Sequence, residues 1–132
     1  MSTRSQVHFK NSGVYLYQHY DGYDLPQRVQ DAIKLNDRWT DEEYLTRIVF
    51  DAMKSKFEGQ DLTTGFGIGT TKHSDIEYLV EIDCASQQIE VLDGYGENMV
   101  SIWKNSFENF VNADMGDPTI TAEPTITGTV QE

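Results

Sequence analysis

A single cysteine, Cys84, stands in 132 residues, and that scarcity excludes an internal disulfide framework and fits a reducing cytoplasm. Long apolar runs are missing as well, and nothing approaches the roughly 20 residues that a membrane-spanning helix needs. The opening Met-Ser-Thr-Arg-Ser-Gln leads into no apolar stretch of signal-peptide type, so export is not expected. Metal-binding motifs are absent too: there is no Cys-x-x-Cys, no His-Glu-x-x-His and no Asp-x-Asp-x-Asp-Gly calcium loop. Thr64-Gly-Phe-Gly-Ile-Gly-Thr70 lacks both the Gly-Lys-Ser/Thr ending of a P-loop and the spacing of a dinucleotide fingerprint. No metal and no cofactor is expected.

Positive charge is scarce in one half of the chain. After Lys72 the only lysine or arginine is Lys104, against twelve of the 22 acidic residues, a balance of −11. Residues 1–72 hold nine bases and ten acids, or −1, so nearly all of the formal charge of −12 lies in the second half. Such a chain is ill suited to holding nucleic acid by neutralising phosphates. Acidity of this kind serves solubility equally well, or complements a basic partner.

The remaining composition, 38% hydrophobic with 11% aromatic, supports one proper core. A single domain over residues 1–115 is expected, followed by a Thr/Pro-rich arm over 116–132. That arm contains two six-residue copies, Pro118-Thr-Ile-Thr-Ala-Glu and Pro124-Thr-Ile-Thr-Gly-Thr, too few for a solenoid.

Within the domain, Gln6–Lys10 alternates, Asn11-Ser12-Gly13 signals a turn, and Val14–Tyr20 reads as a second strand of a hairpin. Alternation sets Val14, Leu16 and Gln18 on one side of it and Tyr15, Tyr17 and His19 on the other. Pro26 opens a short helix to about Leu35. Thr40 and Glu43 form a capping box, with Trp39 and Tyr44 as its hydrophobic staple, for a helix reaching about Phe57. Thr63–Thr70 is a strand whose glycines 65, 67 and 69 share one side, suited to close packing against a helix. Ile76–Cys84 and Gln88–Leu92 are a hairpin about Ala85-Ser86-Gln87. Met99–Val111 carries its apolar residues at helical spacing.

Candidate chemistry is thin. His8 and His73 fall at turn or edge positions, and Cys84 reads as a buried structural thiol. His19 near Asp21 has no visible third partner, so catalysis is not expected. Tyr15, Tyr17, His19 and Tyr23 gather rigid aromatic area that suits a ligand or partner face, or a sheet face covered by the helices. The sharper candidate is acidic. Glu77, Glu81 and Asp83 are even steps apart, Glu90 lies on the neighbouring strand, and Asp93 stands at its end. Carboxylates arranged so present negative charge to a basic groove, as a nucleic-acid mimic would.

The block Val14-Tyr-Leu-Tyr-Gln-His19, Gly22, Leu25-Pro26, Arg38-Trp39-x-Asp41, Tyr44-Leu45-x-Arg47-Ile48 and Thr64-Gly-Phe-Gly-Ile68 resembles a family of small proteins. Bacteriophages, prophages and other mobile elements encode them, and none of these motifs has an assigned chemistry. The resemblance covers somewhat under half of the chain. It implies a phage setting inside a bacterial host, where small acidic proteins blunt immunity, inhibitors of CRISPR effectors among them.

The expected fold is α+β: an antiparallel sheet of four to five strands with two to three helices on one face. The expected function is an acidic anti-defence protein that blocks a host defence protein with a basic, nucleic-acid-binding surface. Direct nucleic-acid and membrane binding are not expected. The alternatives are a binder of a nucleotide signal, using the tyrosine face with Arg28, Arg38 or Arg47, and a virion structural or assembly protein.

Overall fold

Alternation in the first hairpin decides which way the sheet faces. In the computed structural model, which describes residues 3–19, 22–35, 38–55 and 65–113, β1 (Ser5–Phe9) pairs antiparallel with β2 (Val14–Gln18). Gly13 closes the turn at φ 84°, a conformation open to glycine at little cost. Val7, Phe9 and Leu16 are fully buried, while their alternate neighbours His8, Tyr15 and Tyr17 are half-buried.

Two helices cover the side that Val7, Phe9 and Leu16 present. Pro26 sits in the first turn of α1 (Leu25–Ile33), where its missing N–H leaves no bond unmade. In α2 (Glu42–Ser55), Leu45, Val49 and Met53 are buried, as the apolar stripe requires. Its cap lies one residue later than expected. Asp41 Oδ1 accepts from Tyr44 N at 3.4 Å, and the Asp41 carbonyl accepts from Leu45 N at 2.9 Å. A carboxylate there also complements the helix dipole. Trp39 does not staple Tyr44. Its Nε1 donates to the Ile33 carbonyl at 3.0 Å and its ring meets Phe107 edge-on at 5.4 Å, leaving Tyr44 exposed with Arg38 over its ring.

The sheet is larger than expected and mixed. With β3 (Phe66–Gly69), β4 (Tyr78–Asp83), β5 (Gln88–Asp93) and β6 (Val100–Ser106), it has six strands among the described residues, in the order β3-β2-β1-β4-β5-β6. The pair β1–β4 is parallel and every other pair is antiparallel. The additional strand comes from Met99–Val111, where a helix was expected. Val100, Ile102 and Trp103 are β-branched or aromatic residues that suit a pleated surface, and the free edge of β5 supplies their hydrogen-bond partners. An irregularity between Val91 and Leu92 shifts the register, and Trp103 stays opposite the buried Val91. Only at α3 (Phe107–Phe110) does the chain turn helical, capped by Ser106 Oγ accepting from Asn109 N at 3.1 Å.

One hydrophobic cluster joins Val7, Phe9 and Leu16 to α1 and α2, to Val80, Ile82, Ile89 and Val91, and to Phe107 and Phe110. The class is therefore α+β with the helices gathered at one core. The end of the strand-rich half is tied in by a buried glutamine. Gln30 is 2% exposed, and its Nε2 donates to the carbonyls of Phe110 and Ala113. The repeat over 118–129 and the end of the expected second helix at Phe57 lie outside the described residues.

Replacing Gln30 by Ala strips two carbonyls of their donor and opens a void beneath α1. We expect a loss of about 3 kcal/mol, read as a lower urea midpoint with an unchanged slope.

Candidate functional site

The register of the six strands carries a line of side chains across the face that the helices leave uncovered. Gly69, Tyr15, His8, Glu81, Glu90 and Lys104 are successive cross-strand partners from β3 to β6. A second line, Gly67, Tyr17, Gln6, Leu79, Leu92 and Ser101, runs beside it. The expected tyrosine face and the expected acidic face are thus one surface. Among the described residues, no helix covers either tyrosine.

In the first line the groups brace one another. The His8 and Tyr15 rings stack at 4.1 Å and 7°, and His8 Nδ1 hydrogen-bonds Glu81 Oε2 at 3.0 Å. Lys10 Nζ lies 3.9 Å from the other oxygen of Glu81. Burial, and after it the Glu81 charge, pushes the Tyr15 phenol up, so it remains protonated at neutral pH. Gly69 has no atom within 4 Å of where a Cβ would stand, and Gly67 has only the Tyr17 Cβ, at 3.9 Å. The glycines therefore line the open face beside the tyrosines, not the helix layer. β3 meets the helices through Phe66, whose ring packs edge-on to Phe50 at 6.3 Å.

The second line is partly roofed. Residues 70–77 connect β3 to β4 over Gln6 and Tyr17. Gln6 Nε2 donates to the Thr71 carbonyl at 3.1 Å, and Gln6 Oε1 accepts from His73 N at 2.9 Å. The His73 ring lies 4.6 Å from that of Tyr17, whose hydroxyl is 2.9 Å from His19 Nδ1. Gln6 and Leu79 are consequently 1% and 4% exposed although they point away from the helices. What stays open is the line through His8 and the one beyond it, with Lys10 and Asp83.

The acidic candidates divide. Glu81, Asp83 and Glu90 share the open face. Glu77 precedes β4, where its carboxylate hydrogen-bonds Tyr95 and raises that phenol. Asp93 pairs with Tyr78, in phase with the core residues Val80 and Val91, so it falls on the opposite side. Desolvation alone would raise Asp83, but hydrogen bonds from Ser86 and Ala85 and the Lys10 charge outweigh it and hold the carboxyl below its ordinary range. Glu81 and Glu90 stand directly opposite each other, a like-charge pair that costs stability. Lys10 and Lys104 flank them around a shallow depression that Ser86 and Gln88 also line. Two lysines against three carboxylates give this face a balance of −1, in a chain of −12.

Other candidates stay apart. The Tyr23 side chain and Asp21 lie outside the described residues. Arg28, Arg38 and Arg47 belong to the helix layer, each beside an aspartate: Asp24 and Asp31, Asp41, and Asp51. They do not reach the tyrosine face. Cys84 is 6% exposed, and burial, followed by the Glu42 carboxylate, pushes its thiol up to about 12. Among the described residues no three His, Cys, Asp or Glu side chains are placed to hold a metal. None of their helices is long and apolar enough to cross a membrane.

No sequence motif singles out His8, Lys10, Lys104 or Gln6 as members of this face. The first hairpin held the signal: Gln6, His8 and Lys10 alternate with Val7 and Phe9, which sets them on the face away from the core. His8 is not at an edge, since β1 lies between β2 and β4. Comparison of the chain with protein-family models, curated proteins and solved structures finds no match in any of the three.

A thiol raised from 9.0 to about 12 in the folded state holds its proton while the unfolded thiol has lost it. Its stabilising contribution is complete below pH 9.0 and falls away as pH rises toward 12. At pH 8 the native thiolate fraction is roughly a thousandfold lower than the unfolded one, so alkylation of Cys84 should be undetectable until urea unfolds the chain.

Proposed function

We propose that this protein acts by binding, and that its uncovered sheet face docks on a protein partner with a basic surface. The observation that carries this reading is the one-sided packing of the sheet. Helices bury one face, and the other holds Tyr15, His8, Glu81 and Glu90 in a line across β2, β1, β4 and β5. Rigid aromatic area bordered by oriented polar groups is what docking surfaces use. The strong negative charge of the whole chain steers a basic partner toward it.

Together with the phage-type sequence block, this favours an anti-defence protein whose target is a host immune protein that itself binds nucleic acid, a CRISPR effector being the leading class. Lys10 and Lys104 among the carboxylates favour docking against a mixed surface over imitation of a uniform phosphate backbone. A nucleotide-binding role draws less support, because Arg28, Arg38 and Arg47 stand in the helix layer.

The test is capture from bacterial lysate by immobilised protein at nanomolar concentration. We expect a basic protein retained by the wild type and held roughly tenfold more weakly when Glu81→Gln, Asp83→Asn and Glu90→Gln are combined, with thermal melting as the folding control. Capture indifferent to these changes, or of no basic protein at all, would rule the reading out.

A further inference from the structure

Two copies of a −12 chain repel everywhere except where the charge is nearly balanced, and the open sheet face is such a place. Its two central strands are complementary, an imidazole that hydrogen-bonds carboxylate and an ammonium on one against two carboxylates on the other. β1 and the residue after it present His8 and Lys10, whereas β4 presents Glu81 and Asp83. They run parallel in adjacent positions, with His8 in register with Glu81 and the Lys10 amide bonded to the Ile82 carbonyl at 2.9 Å. From these facts we infer that the face is self-complementary, and that two copies of this chain pair through it about a two-fold axis running along the strands between β1 and β4.

That rotation keeps each residue's height along the strand and exchanges β1 with β4, β2 with β5 and β3 with β6. His8 of one copy then meets Glu81 of the other, and Lys10 meets Asp83, each contact occurring twice. The alternative in-plane axis, across the strands, would set β1 on β1 and β4 on β4, bringing lysine toward histidine and carboxylate toward carboxylate. Charge selects the first. The outer positions agree with it, because β6 carries the long Lys104 and faces β3, where Gly69 leaves room. The 70–77 connection roofs only the Tyr17 and Gln6 side of its own sheet, so it comes to rest on the β5–β6 side of the partner, which its own connection leaves free.

Size sets the strength. The open line through His8 crosses six strands and the one beyond it, through Lys10, Asp83, Gln88 and Ser106, crosses four, together on the order of 250 Å² per partner. A standard interface takes about 800 Å² per partner, so the contact is weak and concentration-dependent, with a dissociation constant on the order of tens of micromolar. Twist turns packed sheets by about 30°, which favours the central pairs over the outer ones. This inference shares the face with the host-partner reading but does not depend on it.

Sedimentation equilibrium of the purified protein should give a mass that rises from monomer to dimer between about 5 and 500 µM. Lys10→Glu sets glutamate against Asp83 twice and should weaken association at least tenfold, whereas Arg47→Gln on the helix layer should leave it unchanged. Oxidation of a mixture of the single variants His8→Cys and Glu81→Cys should join the two chains, while Cys84 stays buried. A monomer mass across the whole range, Lys10→Glu associating like the wild type, or no mixed disulfide would each overturn the inference. Capture of a host protein at nanomolar bait, where the chain is monomeric, reads the other proposal separately.

Discussion

Parallel pairing of β1 with β4 unites two antiparallel sets of strands into one sheet. Each half of the chain makes its own antiparallel set, β3-β2-β1 in one and β4-β5-β6 in the other. The core draws on both halves. Joined at β1 and β4, they align Val7 with Val80 and Phe9 with Ile82, and all four side chains enter one hydrophobic cluster beneath α1 and α2. Because alternation has a period of two, the same register fixes the opposite face and brings His8 to Glu81. Core and surface are consequences of one alignment.

That alignment also changes the meaning of the charge asymmetry. Along the sequence, acid is concentrated after Lys72, yet in the fold the acidic strands lie beside a hairpin that supplies His8 and Lys10. Glu81 is the meeting point, in contact with both. Lys104, the single base of the acidic half, stands in register with Glu90. The open face is therefore a patterned mixture and not a uniform field. Mixed faces of this kind gain specificity from where each charge sits more than from the total.

Several elements were legible because their signals are local. The first hairpin, the two helices, the glycine-bearing strand and the β4–β5 hairpin need only alternation, helical spacing and turn residues. The stripe of Leu45, Val49 and Met53 is one instance, and the turn closed by Asp83 accepting from Ala85 and Ser86 is another. Met99–Val111 was misread because its apolar residues satisfy a helical period, while the free edge of β5 offered strand partners that no window of sequence contains. Likewise Trp39 suited a local staple to Tyr44 and instead packed on Phe107, 68 positions away in the chain.

Which side chains share a face within each strand, the positions of α1 and α2, and the burial of Cys84 all follow from the residues alone. Alternation and amphipathic spacing are properties of consecutive residues, so they survive without a fold. That β1 lies beside β4, and that tyrosines and carboxylates meet on one surface, arises only in the fold. Those outcomes depend on register between strands some 70 residues apart, fixed by burial of Val7, Phe9, Val80 and Ile82 together and not by any pattern within one segment.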